Sequence, residues 1–151
     1  MNNVTVIDRG WTQIKTRVRS MDGRSVKVGI FGGQSGGGGD GVAVVDYAIF
    51  NELGTSNIPA RPFLRTAADQ QSANVAKRGG AVAQAVMAGR MSVDAALGDL
   101  GAWFADRVAA TIRASKGWAA PLAPSTIARK GSSVPLINQA RLVNAIRHEV
   151  E

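Results

Sequence analysis

Few side chains here are equipped for chemistry, and their types restrict what that chemistry could be. The chain has one histidine, His148, and no cysteine. Thiolate nucleophiles, disulfides and thiolate or histidine-rich metal sites are therefore excluded together. A hydroxyl nucleophile needs a base within hydrogen-bond reach. His148 sits in an alternating terminal segment with no motif around it, so a plain strand residue is the expectation. The 11 Asp and Glu residues form no paired motif for two-carboxylate or two-metal work. Gly36, Gly38 and Gly41 satisfy the spacing G-x-G-x-x-G after a short β-like run. A dinucleotide site also needs a second parallel strand ending in an acid about 20 residues on. Here that region holds Pro59 and Pro62. No Gly-Lys-Ser/Thr is present either, which removes a P-loop. No catalytic, cofactor-binding or metal-binding residue is assigned, no cofactor is expected, and binding rather than catalysis is the class indicated.

The residues suited to binding gather around 47–65, YAIFNELGTSNIPARPFLR. Gly54 suits a helix stop, because a left-handed conformation costs glycine little. Pro59 and Pro62 hold Ile58 and Arg61 extended, and Pro62 suits the first turn of a helix. The stretch reads as a stiff elbow feeding an alanine-rich helix, with Arg61 and Arg65 displayed beside it. An arginine fork fixes orientation as well as affinity when it meets a carboxylate. Glu52, Arg61, Phe63, Arg65, Trp118, Arg129 and Lys130 are therefore the expected interface positions. For Arg61 and Arg65 an internal ion pair with Glu52 or Asp69 is an equal alternative, and Trp118 either anchors on the core or docks on a neighbour.

The elements that position these residues follow from periodicity. Apolar spacing predicts an amphipathic helix over 7–21, with Trp11, Ile14, Val18 and Met21 on one face. A strand follows over 26–31, then a flexible glycine-rich loop over 32–41, then a segment over 42–52 that reads as strand or helix. A helix is expected from 62 to about 88, with a kink or break at Gly79-Gly80. Another runs from Ser92, a good N-cap, to about 115, and its Gly98 and Gly101 suit close packing against a second helix. An extended loop, 116–135, carries one helical turn capped by Ser125. Ile146, His148 and Val150 alternate as a terminal strand whose natural partner is 26–31. The fold class is α+β: a small antiparallel sheet, with N- and C-terminal strands among its members, packed against two long helices, with long loops.

A chain of 151 residues with 45% hydrophobic and 5% aromatic content predicts one domain, 1–151, with a core of Ala, Val, Ile and Leu. No run approaches the roughly 20 apolar residues that span a bilayer, and no signal core opens the chain, so a cytoplasmic protein without a membrane partner is expected. The net charge of +7 and pI near 10.8 suit nucleic acid, membrane phosphates or an acidic protein.

Two ordered blocks resemble the neck and tail-completion proteins of long-tailed bacteriophages, similar also to phage minor capsid virion-morphogenesis proteins. One is Glu52 to Thr55 followed by Ile58-Pro59-Ala60-Arg61-Pro62-Phe63-Leu64-Arg65. The other is Pro121-Leu122, Ser125-Thr126-Ile127, Lys130-Gly131, Pro135-Leu136-Ile137 and a closing segment over 142–150. Leu53 stands where the family usually shows Phe, and Asn138-Gln139-Ala140 where it shows Asp-Thr-Gly. The resemblance implies a structural protein assembled in the host cytoplasm and located in the virion, at the head–tail junction. It would form a homo-oligomeric ring between portal, adaptor or head-closure proteins and the tail tube or its terminator, with genome DNA threading the lumen. Such a ring needs a heterologous contact whose rotation closes. From a different class, the charge alone supports a sequence-independent nucleic-acid binder, although the basic residues are spread along the chain and form no known DNA-binding motif.

Overall fold

A computed structural model describes residues 8–32, 43–137 and 140–151. The G-x-G-x-x-G spacing, the glycine-rich loop beyond Gly32 and the Asn138-Gln139 departure lie outside them. Along the described residues run α1 (Trp11–Ser20), β1 (Val26–Gly29), α2 (Val44–Leu53), α3 (Phe63–Met87), α4 (Val93–Arg113), a 3-10 turn (Ser115–Gly117), α5 (Pro124–Lys130), α6 (Arg141–Asn144) and β2 (Arg147–Val150). This is an α+β fold with two long helices and a small antiparallel sheet.

The two strands bring both halves of the chain together. β1 and β2 pair antiparallel, with Val26 opposite Val150, Val28 opposite His148 and Gly29 opposite Arg147. Ser25 and Glu151 extend the ladder with mutual backbone bonds of 2.9 and 2.8 Å. His148 is thus a strand residue. The strand expected over 26–31 stops at Gly29, and the ambiguous 42–52 segment resolves as helix α2.

α4 lies across this sheet, and Gly101 lets it do so. A Cβ built at Gly101 would stand 2.5 Å from Val26 Cγ2 and 2.9 Å from His148 Cβ. The close partner is therefore the sheet, not the second helix expected from sequence. Gly98 meets nothing within 4 Å, so it has no packing role of that kind. Ser92 does cap α4, accepting from Ala95 N at 3.2 Å.

The core collects Phe63 and Ala67 of α3, Val108 and Ile112 of α4, Leu136, Leu142 and Val143, with Ala48 of α2. α3 continues without a break through Gly79-Gly80, contrary to the expected interruption. Each glycine costs a helix about 1 kcal/mol against alanine, and the helix is held at both ends by buried Phe63, Ala67 and Val86 and by its contact with α4. The 116–135 segment holds more helix than expected. α5 starts with Pro124 at its first position and Ala123 at its N-cap, so Ser125 is not the cap.

α1 forms within the expected 7–21 span. Asp8 secures its start, accepting from Gly10 N at 3.0 Å and Thr12 N at 3.3 Å. Yet no residue of α1 is buried. Trp11 is 63% exposed, and Ile14 and Val18 are exposed with it. The apolar stripe is real, but no described residue covers it.

The two α4 glycines should respond oppositely to alanine. Gly101→Ala forces Val26 or His148 aside and should lower stability by about 1–3 kcal/mol. Gly98→Ala fills open space and should raise it by up to about 1 kcal/mol. Urea denaturation of both variants reads the two signs.

Candidate functional site

The elbow is built from hydrogen bonds that close inside the chain. α2 ends at Gly54, whose φ is +76° and whose missing Cβ would lie 2.9 Å from Ala60 N. Thr55 then folds the link back: its Oγ1 accepts from Ile58 N at 3.1 Å, and its own N–H donates to Ile58 O at 2.8 Å. Asn51, 4% exposed, donates from Nδ2 to Tyr47 O at 2.8 Å, and its carbonyl takes Arg61 N at 2.6 Å.

Glu52 and Arg61 then fasten what the elbow connects. The first amides of a helix lack intrahelical acceptors. The Glu52 carboxylate accepts from Leu64 N at 2.9 Å and Arg65 N at 3.1 Å. It is a cap for α3 delivered by the preceding helix, and its charge suits the positive end of the helix dipole. Arg61 is 5% exposed; its Nε donates to Ala120 O at 2.7 Å and its Nη2 to Pro121 O at 3.0 Å. Burial holds the guanidinium below its usual pKa, with Tyr47 opposing that shift. Lys130 donates to Val134 O at 2.6 Å. Burial first, and then repulsion from Arg61, lower its ammonium's pKa.

The seven positions expected at an interface therefore divide. Phe63 is fully buried and Arg61 nearly so, and both serve the interior, which corrects their assignment as interface residues. Arg61 meets backbone carbonyls rather than the carboxylates of Glu52 or Asp69, because the fork is turned toward the 120–121 segment. Glu52 is a helix cap. Trp118 anchors on the core, its Nε1 donating to Thr111 O at 2.9 Å. Arg65 and Arg129 are exposed and Lys130 is half-buried.

Other cations are also committed inside the fold. Arg17 donates to Met87 O at 3.1 Å, at the last turn of α3. Arg78 lies over the Trp103 ring at 4.6 Å. Arg24 pairs with Asp94 and donates to Glu151 O at 2.8 Å.

The surface also offers apolar patches. Ile49, Phe50, Leu53 and Ile58 are exposed on α2 and the elbow, Leu53 at 65%. Trp11, Ile14 and Val18 form the second patch, on α1. A groove of about 430 Å³ between β1, α3 and α4 is a third apolar feature, lined by Val26, Val28, Ala68, Val75, Leu100 and Phe104. The exposed α2 residues lie within 47–65, but an apolar side chain in a helix carries no sequence signal that separates a docking face from a core face. Among the described residues no group of three or more His, Cys, Asp or Glu could hold a metal ion, and no helix is long and apolar enough to cross a membrane. No protein-family model, no curated protein and no solved structure matches this chain.

Glu52→Ala should cost about 1–2 kcal/mol, the range of a lost helix cap. Arg61→Lys keeps the charge but not the fork, and should cost about 1–3 kcal/mol by leaving one acceptor of the buried guanidinium's two part-buried bonds unpaired. Urea midpoints measure both, and limited proteolysis within 118–123 should accelerate only for the arginine variant.

Proposed function

We propose that this chain is a structural virion protein of the head–tail junction of a long-tailed bacteriophage. It forms a ring that joins the portal and head-completion side to the tail, with genome DNA passing through the lumen. The observation that carries the reading is Leu53, a large apolar side chain left 65% exposed beside Ile49, Phe50 and Ile58. It stands at the position where the resembled family carries Phe. An apolar side chain kept in solvent, in a patch of four, is the mark of a contact surface.

A second departure from the family pattern also fits. Ala140 stands where that pattern has glycine, and its φ is +55°, the left-handed region that favours glycine. Three further motif residues have internal duties: Glu52 caps α3, Arg61 fastens the 120–121 backbone and Phe63 fills the core. They act as a fold signature, which is the kind of residue a shared architecture would retain.

The nucleic-acid reading is weaker. Arg17, Arg24, Arg61 and Arg78 are held by contacts within the chain, and exposed cations such as Arg19, Arg65, Arg113 and Arg129 sit on four separate helices rather than in one basic patch.

Density maps of intact particles, with symmetry imposed about the tail axis, test the proposal. The expected result is a ring of this chain between portal and tail. A particle lacking it, together with DNA binding by the purified chain that weakens steeply with salt, would contradict it.

A further inference from the structure

We propose that copies of this chain associate head to tail, the α1 face of one packing on the α2–elbow face of the next. The choice of a second copy as the partner rests on the ring reading; the pairing of the two faces rests on the structure alone.

Three observations select this pairing. Each face presents large apolar residues in solvent: Trp11, Ile14 and Val18 on α1, and Ile49, Phe50, Leu53 and Ile58 on α2 and the elbow. Their charges are opposite. Beside its stripe α1 exposes Lys15 and Arg19 and carries no acid, whereas α2 exposes Asp46 and carries no base; Arg17 and Glu52 are engaged at the ends of α3. Exposed Arg65 lies beyond α2, on the adjoining first turn of α3. Face-to-like-face association would set Lys15 and Arg19 against their own copies, or Asp46 against Asp46, and like-charge juxtaposition opposes binding. Finally, the faces belong to opposite ends of α3. Arg17 ties α1 to Met87 at its last turn, and Glu52 ties α2 to Leu64 and Arg65 at its first. A helix of 25 residues separates these ends by roughly 37 Å at 1.5 Å per residue. One copy therefore cannot cover its own α1 stripe with its own α2 patch. A heterologous contact of this kind propagates, and it closes into a ring if its rotation allows.

The test uses two double variants of the full chain, each blunting one face with small neutral residues: Trp11→Ser with Val18→Ser, and Ile49→Ser with Leu53→Ser. All four side chains are 45% exposed or more, so circular dichroism and urea midpoints should match the parent. Analytical ultracentrifugation reads the assembly. The parent should associate beyond its 15.7 kDa monomer, each double variant alone should stay monomeric, and an equimolar mixture should give a discrete dimer through the one intact pair of faces. Self-association of either double variant would overturn the proposal, as would a monomeric mixture or a parent that stays monomeric up to its solubility limit. The two readings fail separately. A dimer on mixing without a ring in particles removes the junction role and keeps the contact. A junction ring whose copies meet elsewhere does the reverse.

Discussion

The Arg61 guanidinium, nearly sealed from solvent and bonded to the carbonyls of Ala120 and Pro121, is the constraint on which this fold turns. It lies at the entry to α3 and reaches a segment about sixty residues away in sequence. Buried charge is costly unless it is paired or fully hydrogen-bonded, so the 120–121 backbone must stay where the fork can reach it. Glu52 fixes the other side of the same corner by capping α3. With Phe63 directly after Pro62, the corner brings α2, α3 and the segment after α4 onto one core.

That corner explains how charge and apolar surface are distributed. The chain has 18 Lys and Arg against 11 Asp and Glu, a balance that suggests a polyanion partner. Yet individual cations close the fold: Arg61 on the loop, Arg17 on the end of α3, Arg24 on Asp94 and the last residue, Arg78 on an indole face. The apolar side chains behave in the opposite way. Several of the largest lie outside, at the two ends of α3, where no described element covers them.

Much of the architecture was legible because it depends on local pattern. The alternation of Ile146, His148 and Val150 gave the terminal strand and its pairing with Val26 and Val28. Gly54 and Ser92 mark helix ends by backbone and side-chain chemistry that acts within a few residues. Tertiary contacts carried what the pattern could not. A stripe such as Trp11, Ile14 and Val18 shows that a helix is amphipathic, not whether its own chain covers it. Gly101 announces a close approach without saying to what, and the sheet proved to be the partner. Gly79-Gly80 looked like a break, but a 25-residue helix packed along a neighbour tolerates both. Arg61 was visible as a constrained arginine, but its acceptors are backbone carbonyls, and those carry no sequence signal.

The central claim is that Glu52 and Arg61 of the elbow serve the interior, while the apolar faces at the two ends of α3 meet a neighbour. Hydrogen exchange measured on dilute, unassembled chain and again on assembled chain tests it most directly. Assembly should slow exchange within 11–20 and 47–58, and leave 61–65, already held by Glu52 and Asn51, unchanged. Slowed exchange at 61–65 with none in 11–20 would contradict the claim and return the contact to the elbow arginines.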